Sequence, residues 1–207
     1  GGQSDLKRGI RSANVPFCAP MQLYHGMAAR LTETGSNFVF LPMVRSLPRF
    51  GCEPRSKTCP IIQASADILR WDLGLKSGSR MVSPILDAAS GLDSAEFMAG
   101  CKQFALDLGV NGKAWRGAHE TALQMQFDFD RQCMETGQRA LDFCARNDLV
   151  AVVVLGRPYT LYNPSLNSNV PAILREQGAM GIPTDCFPVP ADLPVFRDMY
   201  WSQGQRI

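Results

Sequence analysis

Apolar residues recur along this chain at two spacings, which divide it into helices and short strands. Between 19 and 34, Met21, Tyr24, Met27, Ala28 and Leu31 repeat at helical intervals, and Gly35 supplies a stop. Short apolar runs at 12–17 and 37–41 read as strands, which would make a first βαβ unit with that helix. Residues 42–58 carry several prolines and the basic residues Arg45, Arg49, Arg55 and Lys57, and read as a long loop. A helix over 60–71 and a strand over 80–86 follow.

The middle of the chain is helical by pattern. Phe97, Cys101, Phe104 and Leu108 share one face of a helix over 94–108. A longer stripe runs from Trp115 through Ala118, Ala122, Met125, Phe129, Cys133 and Ala140 to Cys144, predicting a helix over 112–147 that Gly137 would bend. The run LVAVVVL at 149–155 is the strongest strand signal, apolar throughout as a strand covered on both faces is. Ser168 or Asn169 caps a helix with Pro171 in its first turn, Gly178 ends it, and 179–183 is a further strand. These make a second βαβ unit. The predicted fold is α/β, with Rossmann-like parallel sheets in two small lobes, 1–90 and 149–207, joined by a helical pair at 91–148. Sites in such sheets form at the carboxyl ends of strands. Cys18, Cys59, Arg157 and Cys186 all fall on segments after predicted strands, so the pattern places them around one crevice.

Composition narrows the function classes. The chain has 207 residues, 45% apolar and 19% charged, enough for a substantial core. Its 21 basic and 19 acidic residues leave a net charge of +2 without a long single-sign run, which argues against nucleic acid or an anionic membrane as partner. No apolar stretch approaches the roughly 20 residues a membrane span needs, and the first residues lack a signal-peptide pattern. Seven cysteines, unevenly spread, read as reduced thiols of a cytoplasmic protein. Residues 198–207 read as the opening of a helix with no stop signal, so the chain is expected to continue as part of a longer protein.

Two cysteines share one setting. Cys18 in FCAP and Cys59 in TCP each precede a helix with proline at or near its first position. A thiol there meets free N–H groups and the positive end of the helix dipole, which favour thiolate and hence soft-metal ligation. The competing reading is a pair of ordinary buried thiols. Cys52 is either a third ligand or an incidental loop thiol, and Cys186 is a ligand or a core residue. Cys101, Cys133 and Cys144 fall on apolar stripes and read as structural.

Arg157, after a glycine at the end of the strongest strand, could hold a phosphate or carboxylate or could brace its own loop. Tyr159, Tyr162, Asn163 and Asn167 line a pocket or pack locally. A helical histidine such as His25 or His119 is more often structural than catalytic. With two histidines no Ser-His-Asp arrangement is credible, and no glycine-rich phosphate loop is present, which argues against a free-standing ATPase or nicotinamide enzyme.

Several segments together carry a resemblance: CAPMQLYHGMA at 18–28, FVFLP at 38–42, KTCP at 57–60, LGRPYTLYNP at 155–164, NVPAIL at 169–174, IPTDCFP at 182–188 and YWSQGQRI at 200–207. They resemble the part of acyl-CoA dehydratase activase-related proteins that is similar to 2-hydroxyacyl-CoA dehydratase subunits. The likeness is weak between 74 and 148. The resemblance implies Rossmann-like lobes with a cysteine-bound iron–sulfur cluster of the 4Fe–4S kind between them. In that family, an ATP-driven activase supplies the cluster with a low-potential electron. Cys18 and Cys59 match the positions of family cluster cysteines, with a further cysteine expected beyond 207 and the ATP-binding domain outside this chain. The implied function is low-potential electron transfer in an anaerobic, cytoplasmic system. Implied partners are dehydratase or activase subunits and an acyl-CoA; Arg157, Tyr159 and His25 would tune the cluster or contact an anionic substrate. The alternatives are an interaction domain without a cluster and a CoA-binding lobe.

Overall fold

The structure is a computed structural model that describes residues 1–14, 16–74, 80–189, 194–201 and 204. The fold is α/β, built from helices and pairs of parallel strands. It divides into two compact units, the first taking Gly1–Leu123 with the segment returning from Val195, the second taking Gln124–Pro194.

The first unit opens on a helix, α1 (Gln3–Ser12), rather than on the strand expected at 12–17; the described residues there hold no strand. Its partner is α2 (Ala19–Thr32), close to the predicted span. The two meet through glycines. A Cβ on Gly9 would stand 1.7 Å from the Gln22 carbonyl oxygen, and one on Gly26 would stand 1.8 Å from that of Asp5. Ionic contacts tie the pair further: Arg30 Nε donates to Asp5 Oδ1 at 2.9 Å, and Arg8 pairs with Glu33. The hydrogen bond from Arg30, then that from the Gly2 N–H, holds the Asp5 carboxyl below its ordinary value. A depressed carboxyl stabilises above its unfolded value and releases as pH falls through the folded one. Acidification below about pH 4 should therefore loosen α1 from α2. Asp5→Asn should flatten that acid limb in melting temperature against pH, leaving the neutral region to show only the lost contact.

Strands β1 (Phe38–Phe40) and β2 (Met43–Ser46) run parallel to β3 (Arg80–Val82) and β4 (Ile85–Asp87). The β2 segment corrects the expectation of one unbroken loop over 42–58. The two short ladders are one ribbon, because Leu41 N donates to Val82 O and Met43 N to Pro84 O, both at 3.0 Å. Lys57 bridges Ser46 on the other side and Trp201 beyond it. The expected helix opening at 198–207 is thus replaced at its start by a turn and this bridge, and 202–203 and 205–207 lie outside the described residues. The crossover between the paired strands runs through α3 (Pro60–Gln63) and α4 (Ser65–Asp72). Ala28 of α2, Val39, Leu41, and Ala66 and Leu69 of α4 form one buried core. Helix α5 (Ala95–Asp107) falls in the span predicted at 94–108 and starts where Ser94 Oγ accepts from Phe97 N at 3.3 Å.

Helix α6 (Ala114–Arg146) is continuous through Gly137 and passes from the first unit into the second. In the second unit β5 (Ala151–Val154) pairs in parallel with β6 (Met180–Pro183), through α7 (Pro158–Leu161) and α8 (Val170–Glu176). This is the predicted second βαβ unit, with Asn169 at the start of α8.

Candidate metal centre

Both cysteines singled out by sequence stand at helix starts in the first unit. Cys18 is the N-cap residue of α2, and its carbonyl accepts from Met21 N at 2.9 Å and Gln22 N at 3.0 Å. Cys59 is the N-cap residue of α3, and its carbonyl accepts from Gln63 N at 3.1 Å. Neither helix has a side-chain cap bond, so backbone N–H groups of the first turn remain near each thiol. Cys18 is exposed and Cys59 half-buried. The segment before Cys59 is pinned to the carboxyl end of β2: Thr58 N donates to Arg45 O at 3.1 Å, and Lys57 Nζ lies 3.1 Å from the fully buried Ser46 hydroxyl and 3.8 Å from the Asp87 carboxylate. Cys52 is exposed, in a turn made by Gly51 at φ 54°.

His25 is fully buried in α2, with Nε2 3.2 Å from Asp72 Oδ2 at the end of α4. An ionised carboxylate only accepts, so Nε2 carries the proton. Arg157 caps α7, where it donates to the Tyr159 hydroxyl at 2.7 Å and lies 6.0 Å from that ring. These two residues therefore engage each other in the second unit.

Among the described residues, one group of three ligating atoms gathers within 4.8 Å: Cys133, Asp185 and Cys186. Sequence reasoning set Cys133 aside as a core residue of the α6 stripe. Asp185 and Cys186 lie in a 3₁₀ turn directly after β6, at the carboxyl end of the parallel pair. Tyr162, following α7, donates to Asp185 Oδ1 at 2.8 Å and lies 3.6 Å from Cys186 Sγ. Burial, then the adjoining Cys186, pushes the Cys133 thiol up to about 11, and burial with the bonds to Cys186 and Asp185 pushes the Tyr162 phenol upward. Gly137, one turn after Cys133, permits the approach: a Cβ there would meet the Cys186 carbonyl oxygen at 1.6 Å. The sequence signal was that glycine, which admits the Cys186 backbone against α6.

The first unit also holds an apolar groove of about 490 Å³, lined by Phe40, Leu86, Phe97, Phe104, Trp115 and His119 among others. His119 Nε2 is 2.8 Å from Leu92 O, so the ring is anchored at its rim.

No helix of the described residues is long and apolar enough to cross a membrane. No curated protein and no solved structure matches the chain. A family model described as the CoA enzyme activase uncharacterised domain matches residues 3–187. That span takes in both helix-start cysteines, all three parallel strand pairs and the Cys133 group, and the chain belongs to the CoA enzyme activase domain family.

Proposed function

We propose that this domain is the dehydratase-like, cysteine-ligated part of a CoA enzyme activase system, serving low-potential electron transfer through an iron–sulfur cluster. The observation that carries the reading is a shared setting: Cys18 and Cys59 each stand at a helix start, of α2 and of α3, in one unit. Their elements also share a core, since α2 and α4, which directly follows α3, both contribute to it. The donor set fits such a cluster in kind, because iron–sulfur centres are held by cysteine sulfur. Cys18 and Cys59 would hold it, Cys52 is the third candidate, and any remaining ligand would come from another segment or a partner. When bound, the cluster supplies one-electron chemistry at low potential. The chain's own residues position it: Lys57 places positive charge two residues from Cys59, and His25 acts through Asp72 on the packing of α2 against α4. Arg157 with Tyr159 would receive an anionic group in the lobe at 149–207. The boundaries 1–90, 91–148 and 149–207, dehydratase or activase partners, an acyl-CoA substrate and a cytoplasmic, anaerobic setting belong to the same proposal.

Anaerobic reconstitution with iron and sulfide, assayed per chain, tests it. The chain should take up iron and sulfide together, with a broad visible absorption that Cys18→Ala and Cys59→Ala each reduce at least tenfold and Cys52→Ala reduces less. No joint uptake by a folded chain would reject the cluster. A second reading, a lobe that binds an acyl group without a cluster, is favoured by the apolar groove beside Phe104 and Trp115. Binding of acyl-CoA over free CoA, unaffected by loss of Cys18 and Cys59, would support that reading instead.

A further inference from the structure

We propose that Cys133, Asp185 and Cys186 form a mononuclear site for a thiophilic divalent ion of the zinc type, with Tyr162 as its supporting donor and a fourth position open to water or a small ligand. The site lies wholly within the second unit and does not depend on the cluster reading.

Three observations converge on it. The first is place. Asp185 and Cys186 follow β6, and Tyr162 follows α7 behind β5, so the group sits at the carboxyl end of a parallel strand pair, where open α/β sheets build their sites. The second is approach. Cys133 and Gly137 stand four residues apart on one face of α6, and the missing side chain at 137 lets the Cys186 backbone come up against the helix. Any other residue would hold the two sulfurs apart. The third is spacing. Bonds of about 2.3 Å at a tetrahedral ion set two sulfurs ~3.8 Å apart. The three ligating atoms already lie within 4.8 Å of one another, so small rotamer changes bring them onto one ion.

The donor set selects the ion. Two sulfurs and one carboxylate oxygen suit zinc, cobalt or ferrous iron, and not calcium or magnesium, which take oxygen almost throughout. A carboxylate between two close sulfurs also suits one ion better than a cubane. Tyr162 then does for Asp185 what supporting residues do at zinc sites: its hydroxyl fixes one carboxylate oxygen and leaves the other for the metal. Three protein ligands leave a fourth position, the arrangement of zinc sites that act on a bound water or ligand rather than only holding a fold.

Cobalt(II) titration of the fully reduced chain tests the assignment. One equivalent should give the near-ultraviolet thiolate-to-cobalt band and the visible bands of a tetrahedral ion, and zinc should bleach them. Cys133→Ser and Cys186→Ser should each weaken binding at least 100-fold, Asp185→Asn and Tyr162→Phe about tenfold. Gly137→Ala should weaken it too, by parting the turn from α6. Circular dichroism checks that each variant is folded, and Tyr162→Phe keeps the test open should a cysteine variant fail to fold. The Cys18→Ser/Cys59→Ser double variant should keep the full spectrum, which separates this site from the cluster proposal. The inference is overturned if the spectrum survives Cys133→Ser, if it vanishes only with Cys18 and Cys59, or if the folded, reduced chain binds no ion. A Cys133–Cys186 disulfide whose reduction restores no cobalt binding also overturns it.

Discussion

Gly26→Ala should cost the first unit about 3 kcal/mol or more, and Gly9→Ala a similar amount. The added methyl at 26 would stand 1.8 Å from the Asp5 carbonyl oxygen, and the one at 9 would stand 1.7 Å from that of Gln22. Both obstacles are backbone, which cannot swing aside as a long side chain can. Helices α1 and α2 must therefore separate by about 1 Å or more, losing packing along their whole contact. At about 3 °C per kcal/mol for a unit of this size, the melting temperature should drop by on the order of 10 °C. Amides of α1 should lose hydrogen-exchange protection first. The two substitutions should not add: once one methyl has parted the helices, the second finds room, and the double variant should cost clearly less than the sum.

The same glycines explain why α1 was not legible in the sequence. Periodicity finds helices that bury apolar stripes, and α1 buries Asp5 and Gly9 instead. The strands at 43–46 and 85–87 were blurred for a different reason. Pro42 and Pro84 interrupt both apolar runs at neighbouring places in the register, yet the ladder continues past them through the amides of Leu41 and Met43. Where the signal was local and unmixed, it sufficed. The run at 149–155 contains β5, the apolar face over 94–108 marks α5, and Asn169 with Pro171 opens α8.

Site residues divide along the same line. Cys18 and Cys59 could be placed because a cap residue followed by proline is decided within a few residues. Cys133 could not, because its stripe on α6 is that of a core residue, and its partners arrive some fifty positions later in the chain. A glycine four residues beyond it was the single local hint, and a helix-breaking role is the more familiar reading of a mid-helix glycine. His25 was legible only as a histidine on a helix; its partner Asp72 is set by tertiary packing.

Replacing His25 by alanine should be the most damaging change near the proposed cluster site, at about 3–5 kcal/mol. The ring is fully buried, and the Asp72 side chain it faces is only 6% exposed. Without the imidazole, that carboxylate keeps Asn14 Nδ2 at 2.7 Å and loses its inner donor. A buried charge left short of donors costs more than the pair itself contributed. His25→Gln should recover part of the loss, because its terminal amide can present a donor where Nε2 stood; His25→Leu fills the space without a donor and should not. Asp72→Ala in the His25→Ala background should cost far less than it does alone, with a coupling of about 1–3 kcal/mol. The consequence reaches the thiols, because the pair joins α2, which begins after Cys18, to α4, which follows the α3 turn begun after Cys59. Iron uptake by His25→Ala, measured well below its melting temperature, should therefore fall, and His25→Gln should restore it in step with stability. Full uptake by a folded His25→Ala chain would confine the histidine to the core and detach it from the cysteines.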